Sequence, residues 1–499
     1  MLFNSWQFIL AFLPVCVLVY FGLNRLRLVT AGKAWLVLAS LAFYAYWDPR
    51  YLPLILSSIL FNYGIGDGLA QAHPERRRAT GKPPSRVPRR ALLVLGIAVN
   101  LGVLGYFKYT DFFLANANAA FGTSFALPGI VLPLAISFFT FTQIVYLVDS
   151  YRGETAGYDL LNYALFVTFF PHLIAGPIVQ HSQIMPQFAS RWTLSPRQSN
   201  IAKGLCIFAI GLFKKVVIAD QFATWADAGF DGGQRLDFVA AWTTSLSYTF
   251  QLYFDFSGYC DMAMGASLLF NIRLPINFDS PYKALDIQDF WRRWHITLSN
   301  FLRDYLYIPL GGNRHGEARA YLNLMVTFLL GGLWHGATWM FVIWGGLHGL
   351  AVAVHRVWRR FGRPLPTALA WALTFLFVNA AWVFFRARTL EDAMRVLQGM
   401  GDIRSLSGVP VVDAPTADLA WAGVGADTLL AVLPSSVIGA LPTLLAIALA
   451  FVVIAQRNSN AVLDAPLGTG RMAWAAVVFS VAMYAMFAAT STVFLYFNF

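Results

Sequence analysis

Long apolar segments recur along almost the whole chain, and they restrict the possible folds more than any other feature. A helix needs about 20 apolar residues to cross the bilayer core, which is about 30 Å thick. Segments of this kind occur near residues 6–24, 34–47, 51–70, 91–108, 130–149, 159–180, 200–220, 237–255, 257–272, 320–341, 339–358, 367–385, 437–456 and 472–490. Several are short, adjacent or interrupted by proline, so some are expected to be half-spans or re-entrant. The sequence therefore predicts an all-α polytopic membrane protein with about 10–13 full spans.

The composition agrees with insertion in a lipid bilayer. Hydrophobic residues make up 58% of the chain and charged residues 12%, whereas soluble proteins average about 45–50% and about 25%. The net charge of +11 comes from basic residues in short loops between apolar segments, where they set topology. Nucleic-acid binding is therefore not expected. The first 23 residues lack a basic n-region and a small-residue cleavage site, so we interpret them as a retained first span.

Loop charges predict which side of the membrane each segment faces. The segment 73–90 contains seven Lys or Arg residues and one acidic residue, which predicts a cytoplasmic loop and an outward N-terminus. The basic run 355–363 is also expected in the cytoplasm. Arg386 and Arg388 then fall on the outer side, against the usual charge bias. Residues 400–436, rich in Gly, Pro, Ala and Asp, predict an extramembrane loop.

Isolated polar side chains within the apolar segments predict structural roles. Cys16, Cys206 and Cys260 are far apart in apolar surroundings, which excludes a disulfide scaffold and a Cys-x-x-Cys metal site. Asp255 and Asp261 are six residues apart, so they do not share a helix face. We interpret the two carboxylates as structural or cavity-lining groups rather than a catalytic pair.

The stretch 170–188 combines prolines with two histidines. Irregular backbone at membrane depth is tolerated only where protein covers it or where it lines a cavity, so a broken or re-entrant helix is predicted. His172 and His181 are then either cavity-lining or interfacial loop residues, and we favour the interfacial position.

A polar segment rich in arginine and tryptophan extends from Asp286 to Tyr305 and includes His295. Its apolar and polar residues alternate at helical spacing, which predicts one amphipathic or re-entrant helix with Arg292 near the histidine. Arginine next to tryptophan suits a polyanionic ligand, because guanidinium groups bind phosphate in bidentate fashion and indole rings stack. Interfacial anchoring by the same residues is the alternative.

His335 lies in a long apolar run and is the second unusual histidine. The glycines at positions 331, 332 and 336 allow close approach of another backbone or of a slender ligand. Burial favours the neutral imidazole, which is competent as a base near pH 7. A hydrogen bond between helices is an equally good explanation from composition alone.

Other signatures of enzyme chemistry are missing from the sequence. The chain contains no His-Glu-x-x-His zinc motif, no Gly-x-Ser-x-Gly elbow and no Walker A loop. Residues 64–67 match the short Gly-x-Gly-Asp motif of intramembrane aspartyl proteases. The second aspartate that such an enzyme requires is not supported, because Tyr158-Asp159 lies at the start of a span.

Two consecutive stretches resemble the signature region of membrane-bound O-acyltransferases, in particular the bacterial branch that O-acetylates alginate. They read WRRWHITLSNFLRDYLYIPLGGN and NLMVTFLLGGLWHGATWMFVIWGGLHG. Further similarity is present in FNSWQFILAFLP, FFPHLIAGPI, FQLYFDFSGYCDMA, WVFFRA and FLYFNF. The resemblance covers most of the chain, so we interpret residues 1–499 as one membrane domain with 285–349 as its central signature region.

The resemblance implies a helical bundle around a tunnel in which two histidines serve catalysis. His335 corresponds to the principal catalytic position of the family, and His295 corresponds to the second. Members of the family transfer an acyl group from a cytoplasmic thioester to a hydroxyl, and no metal is required. Side chains near the two histidines are the candidates for donor binding: Trp291, Arg292, Arg293, Trp294 and Trp334.

The function expected from this resemblance is that of an O-acetyltransferase in the bacterial inner membrane. The expected donor is acetyl-CoA, and the acceptor is a cell-surface or secreted polysaccharide. An SGNH-hydrolase-like protein in the periplasm is the expected partner. Two alternatives remain open: D-alanyl transfer to teichoic acid from a carrier-protein thioester, and a polysaccharide export channel whose histidines only line a path.

Overall fold

The chain forms an all-α structure in the part that this computed structural model describes. The described residues are 1–73, 88–155, 158–362, 364–407, 435–464, 466–488 and 494–495. Within them the regular structure is helical and no strand is present, which confirms the predicted all-α membrane fold.

The helices of the first part of the chain include several long apolar ones and several short ones. Their bounds are α1 (Leu13–Arg25), α2 (Val29–Ala45), α3 (Leu52–Gln71), α4 (Arg89–Phe121), α5 (Ile136–Arg152), α6 (Leu160–Thr168), α7 (Phe170–Leu173) and α8 (His181–Ala189). A π-helical turn over Gln7–Phe12 continues directly into α1. A 3-10 turn over Pro49–Tyr51 precedes α3.

The remaining helices include the one that ends at His335 and the two short helices on either side of His295. Their bounds are α9 (Gln198–Phe213), α10 (Asp220–Asp231), α11 (Phe238–Leu269), α12 (Ile287–Arg293), α13 (Ile296–Leu302), α14 (Glu317–His335), α15 (Trp339–Phe361), α16 (Thr367–Arg386), α17 (Leu390–Gly401), α18 (Ser435–Gly439), α19 (Leu441–Ala455), α20 (Ala461–Asp464) and α21 (Thr469–Ala488). π-helical turns follow α9 over Lys214–Ala219 and α13 over Arg303–Tyr307.

Six helical segments of the described chain are long and apolar enough to cross a membrane. They are Gln7–Arg25, Pro49–Gln71, Arg89–Phe121, Trp339–Phe361, Thr367–Arg386 and Thr469–Ala488. Two further apolar helices, α2 and α19, are shorter. These segments identify a multi-pass membrane protein, whereas the total of about 10–13 spans stays a prediction.

Helix α11 lies at the centre of the bundle. Every side chain from Ser247 to Leu269 is buried. The backbone of α11 is in contact with that of α9: a Cβ atom at Gly204 would lie 2.7 Å from the Gly265 carbonyl oxygen. Small residues of this kind let helices approach closely in membranes, where packing rather than hydrophobic burial drives association.

Buried ion pairs join α11 to the π-helical turn after α9. Lys214 Nζ lies 2.7 Å from Asp261 Oδ2, and Lys215 Nζ lies 2.7 Å from Asp255 Oδ1. Asp261 also accepts a hydrogen bond of 2.8 Å from the Ser459 hydroxyl. Each interior carboxylate is therefore paired, as a charge in low dielectric must be. The interpretation of Asp255 and Asp261 as structural groups is confirmed.

The proline-rich stretch 170–188 forms a broken helix, as its sequence predicts. Helix α7 is four residues long, and α8 begins only at His181. The interfacial position favoured for His172 and His181 is wrong, because both side chains are buried. His181 Nε2 lies 3.0 Å from a carboxylate oxygen of Asp149 on α5, so the interior provides the polar partner that a loop residue would find in water.

The two arginines that oppose the usual charge bias have acidic partners. Arg386 contacts Asp227 at 2.7 Å and Asp231 at 2.6 Å, and Arg388 contacts Asp231 at 3.3 Å. These pairs place the end of α16 beside the end of α10. The positive charge of both arginines is balanced locally by these carboxylates.

Several predicted segments lie partly outside the described residues. The predicted cytoplasmic loop is described only at its two ends, since 74–87 are outside, and the same holds for residues 408–434 of the predicted loop 400–436. Of the aromatic C-terminal segment only two residues are described. Phe494 stacks on Tyr259 with ring centroids 4.4 Å apart, and the Leu495 N–H donates to a carboxylate oxygen of Asp255 at 3.0 Å.

Candidate active site

His295 lies at the junction between α12 and α13. Its backbone is left-handed, with φ 43° and ψ 54°. A right-handed helix cannot continue through such a residue. The prediction of one helix from Asp286 to Tyr305 is therefore wrong, since the segment forms two short helices and a π-helical turn. Helical periodicity on both sides of the break conceals it in the sequence.

Asn277 holds the turn at His295 from a neighbouring segment. Its main-chain oxygen accepts the Ile296 N–H at 3.0 Å. Its side-chain oxygen accepts the Thr297 N–H at 3.2 Å and the Thr297 hydroxyl at 3.0 Å. Four atoms of the turn, the His295 ring included, thus bond to one asparagine, which stabilises a conformation that non-glycine residues rarely adopt.

The same amide oxygen fixes the tautomer of His295. His295 Nδ1 lies 3.1 Å from Asn277 Oδ1, which can only accept a hydrogen bond. Nδ1 must therefore carry the proton, and the lone pair of the neutral ring is on Nε2. The side chain is 0% exposed and packs edge-on against Phe256, with ring centroids 4.8 Å apart.

His335 is the last residue of α14, and aromatic side chains surround its ring. The side chain is 3% exposed. Its ring centroid lies 5.2 Å from those of Trp344 and Phe385 and 5.0 Å from that of Trp334. Such a pocket excludes bulk water, which strengthens the polar interactions that remain inside it.

Glycines bring α14 and α15 into backbone contact beside His335, as the sequence predicts. A Cβ atom at Gly332 would lie 2.2 Å from the Phe341 carbonyl oxygen, and one at Gly345 would lie 2.3 Å from the Phe328 carbonyl oxygen. Only glycine allows this approach. The two helices therefore fix the position of the turn that links His335 to α15.

The structure brings the two histidines together. The ring centroids of His295 and His335 are 6.4 Å apart. Trp334 contacts both, with its ring centroid 6.3 Å from that of His295. Residues separated by 40 positions in the sequence thus form one buried cluster of two imidazoles and an indole.

A cavity of about 200 Å³ leads to His335 between α13, α14 and α15. Its wall is mostly apolar, and Ser299, Arg303 and Tyr307 provide polar groups. The lining residues are Trp291, Leu298, Ser299, Leu302, Arg303, Tyr307, Leu324, Thr327, Phe328, Gly331, His335 and Trp344. The space suits a slender, mostly apolar group whose reactive end reaches the imidazole.

Among the residues predicted to bind the donor, Trp291 lines this cavity. Trp334 instead packs against the two histidines. Trp294 is buried beside Trp382, at a centroid distance of 4.9 Å. These three tryptophans therefore serve different parts of the site.

The two arginines that were predicted to bind the donor are not part of the cavity wall. Arg293 forms an ion pair with Asp289, with Nε 2.9 Å from each carboxylate oxygen. Arg292 is exposed to solvent at the end of α12. Helix α12 ends at Arg293, and the left-handed turn at His295 changes the direction of the chain. The spacing of a continuous helix therefore placed both arginines closer to the histidine than they are.

Two further ionisable groups belong to the site and were not predicted. His348 is fully buried on α15, and its Nδ1 accepts a hydrogen bond of 3.2 Å from Trp291 Nε1. Lys108 on α4 contacts the end of α14. Both are ionisable residues inside apolar spans, which is the signal that singled out His335. Asn277 carries no comparable signal, because asparagine is common in loops.

The arrangement combines a proton acceptor, hydrogen-bond donors and a dry access path. Neutral imidazole accepts a proton near pH 7, and indole N–H groups donate to developing negative charge. Within the described residues, no group of three or more His, Cys, Asp or Glu side chains has the spacing of a metal site. The chemistry that these groups support is proton transfer to and from an acyl or hydroxyl substrate.

Comparisons with known proteins identify the family. Residues 136–390 match the family model of membrane-bound O-acyltransferases, and this range includes both histidines. The peptidoglycan O-acetyltransferase of Helicobacter pylori is 53% identical over 437 residues, which cover 82% of this chain and 81% of that protein. The "Probable alginate O-acetylase AlgI" of Pseudomonas aeruginosa is 43% identical over 406 residues, 80% of this chain and 75% of that protein.

A more distant similarity connects the chain to D-alanyl transfer. The teichoic acid D-alanyltransferase of Bacillus subtilis is 26% identical over 271 residues, which cover 51% of this chain and 69% of that protein. The family match and the two O-acetylating relatives extend over most of the described helices. This chain is therefore a multi-pass membrane acyltransferase that belongs to the membrane-bound O-acyltransferase family.

Proposed function

We propose that the protein takes an acetyl group from acetyl-CoA at the cytoplasmic side of the bacterial inner membrane. The acetyl group then passes outward for O-acetylation of a cell-envelope or secreted polysaccharide. The observation that carries this proposal is the meeting of His295 and His335, with ring centroids 6.4 Å apart, at the end of an apolar cavity.

The cavity supports a thioester donor. Its volume of about 200 Å³ is too small for a whole coenzyme A, but it accommodates a slender acyl-thioester arm. Arg303 and Tyr307 lie in its wall; Arg303 is 58% exposed and forms an ion pair with the neighbouring Asp304 that leaves part of its guanidinium accessible. A guanidinium in this position suits the phosphate groups of a nucleotide that stays outside while its arm enters.

His335 is the proposed general base. The acceptor oxygen attacks the thioester carbonyl carbon, a carbon–oxygen bond forms and the carbon–sulfur bond breaks. The hydroxyl proton passes to the His335 imidazole and then to the departing thiolate, so protons and charge balance. Base catalysis of this kind contributes about 10²–10⁴-fold.

His295 is proposed to orient its partner rather than to donate to the oxyanion. Asn277 fixes the proton on Nδ1, so the lone pair is on Nε2, which is proposed to accept a hydrogen bond within the cluster during the reaction. Trp334 is the proposed donor to the oxyanion. Its indole N–H is buried and has no hydrogen-bond partner among the described residues, and its ring contacts both histidines.

The relatives support a polysaccharide acceptor. Their names assign O-acetylation of peptidoglycan to one relative and of alginate to another. We extend a glycan acceptor of this class to the present protein. A periplasmic SGNH-hydrolase-like partner is proposed to perform the final transfer to the polymer.

Purified protein in detergent tests the donor and the base. With the periplasmic partner and a glycan supplied as acceptor, radiolabelled acetyl-CoA is expected to transfer its label and release free coenzyme A, and D-alanyl carrier protein is expected to be a poor donor. The His335→Ala variant is expected to lose at least about 10²-fold of this activity, because the base is removed. The His315→Ala variant is the matched control, since this histidine of the signature region is exposed.

Three results would contradict the proposal. Near-normal thioester cleavage by His335→Ala would show that His335 is not the general base. Preference for the D-alanyl donor would move the protein to the teichoic-acid class of acyl transfer. Transport of polysaccharide without any thioester cleavage would instead support a channel.

A further inference from the structure

The end of α14 leaves its last carbonyl groups without partners in its own helix. The final carbonyls of any α-helix lack the N–H groups that would follow in a longer helix. The Gly332 carbonyl accepts the Gly336 N–H at 3.4 Å. The next three carbonyls belong to Leu333, Trp334 and His335, and their bonding decides how firmly the catalytic histidine is held.

Two consecutive residues of α4 bind these three carbonyls. The Tyr109 hydroxyl donates to the Leu333 oxygen at 2.9 Å. Lys108 Nζ donates to the Trp334 oxygen and lies 3.4 Å from the His335 oxygen. The end of the catalytic helix is thus capped by side chains from a helix more than 200 residues away in the sequence.

Lys108 also connects this cap to the start of α5. Its Nζ donates to the Ser137 hydroxyl at 3.2 Å and lies 5.7 Å from the Trp334 ring centroid. A cation at a helix C-terminus interacts favourably with the helix dipole, more so when partly buried. An ammonium inside an apolar span is expensive unless it has such partners.

We propose that Lys108 and Tyr109 form a C-terminal cap that positions His335 for acyl transfer. The three carbonyl contacts and the position over Trp334 act on His335 or on the two residues before it, and the Ser137 contact holds Lys108 in place. Lys108 is a positioning residue here, because its ammonium group holds the carbonyls of Trp334 and His335 and the Ser137 hydroxyl. The inference rests on the proposed function of His335.

The first test separates turnover from donor binding. Lys108→Met keeps the length of the side chain and removes the charge and the donors. We expect kcat to fall by about 10²-fold with the KM for acetyl-CoA nearly unchanged, because misplacement of a reacting group by about 1 Å has this effect. Lys108→Arg retains charge and donors and is expected to restore most of the lost kcat.

Two further variants define the origin of the effect. Tyr109→Phe removes only the hydroxyl, so a smaller loss in kcat is expected. Lys203→Met is the matched control, because Lys203 is a partly buried lysine on α9 that donates to the Leu463 carbonyl, away from the histidines. Its kcat is expected to equal that of the unaltered protein.

Hydrogen exchange of the purified protein in detergent provides a measure that needs no activity. Peptides covering residues 330–340 are expected to exchange faster in Lys108→Met than in the unaltered protein, while Lys203→Met leaves them unchanged. Unchanged exchange in Lys108→Met would overturn the cap. Faster exchange in a protein that transfers no acyl group would keep the cap and overturn the proposed function.

A kinetic result would also overturn the inference. If Lys108→Met changes KM with kcat intact, the lysine acts on donor binding and does not position the base. Lys108→Met and Lys108→Arg could also lose the same activity and show the same hydrogen exchange in residues 330–340. The positive charge and the hydrogen-bond donors at position 108 would then not be what holds the end of α14.

Discussion

One asparagine stabilises the backbone conformation of His295 and fixes the position of the proton on its imidazole. A non-glycine residue in a left-handed conformation costs about 1–3 kcal/mol, which surrounding contacts must offset. Asn277 provides them through its main-chain oxygen and through an amide oxygen that accepts three further hydrogen bonds. Strain at this position is therefore tied to the orientation of the ring, as expected at a functional site.

Replacement of Asn277 by alanine should impair both stability and transfer. The turn loses three hydrogen bonds, and the buried donors on His295 and Thr297 are left unsatisfied, which costs about 1–3 kcal/mol per group. We expect a lower unfolding temperature in detergent and a loss of acetyl transfer. Asn118→Ala is the control, because Asn118 also bonds a loop through its side chain, at the far end of α4. Full activity of Asn277→Ala would contradict the role assigned to the turn.

Single residues differed in how far the sequence could predict them. His335 stands out as an ionisable residue in an apolar run, and the structure places it beside His295. His348 and Lys108 carry the same signal and were overlooked, although both are bonded into the site. Asn277 could not have been predicted, because its importance arises from a backbone conformation that composition and periodicity do not encode.

The pair α14 and α15 is the element that holds His335. Their contact depends on glycines at the crossing, since Gly332 faces the Phe341 carbonyl and Gly345 faces the Phe328 carbonyl. Close packing of backbones gives dispersion contacts over a long stretch of both helices. From the sequence, the glycines at 331, 332 and 336 allowed close approach of either another backbone or a slender ligand, and the structure places another backbone against Gly332.

A methyl group at Gly332 should separate these helices. Its carbon would lie 2.2 Å from the Phe341 carbonyl oxygen, which requires a backbone shift that costs about 1–3 kcal/mol. We expect Gly332→Ala to lower the unfolding temperature and to reduce acetyl transfer. Gly346→Ala is the matched control on the same helix pair, where the nearest atom is a Leu329 side-chain carbon at 3.6 Å. Equal behaviour of the two variants would contradict the importance of this crossing.

Helical periodicity misled the prediction for the segment that carries His295. Apolar residues continue at helical spacing from α12 into α13, so the pattern cannot reveal a break between them. The break places Arg292 and Arg293 away from the cavity and leaves Trp291 in its wall. Long apolar helices were predictable because length and hydropathy determine them, whereas this turn depends on tertiary hydrogen bonds to Asn277.

At the scale of the whole molecule, the described helices surround the buried cluster that we propose as the reaction site. Helix α11 forms its centre, and paired interior charges such as Lys214 with Asp261 connect distant parts of the chain. The cavity reaches His335 from the side of Arg303 and Tyr307, where the basic loops predict the cytoplasm. A donor that enters there and an acceptor that waits outside would both need access to the same imidazole.

Acyl transfer across a sealed vesicle tests this arrangement most directly. Protein reconstituted with its cytoplasmic face inward is supplied with enclosed labelled acetyl-CoA, and a glycan and its periplasmic partner are added outside. Label is expected to appear on the external glycan with unaltered protein and with His315→Ala, and to be absent with His335→Ala. External labelling by His335→Ala, or labelling only when acetyl-CoA is added outside, would contradict transfer from the cytoplasmic cavity through His335.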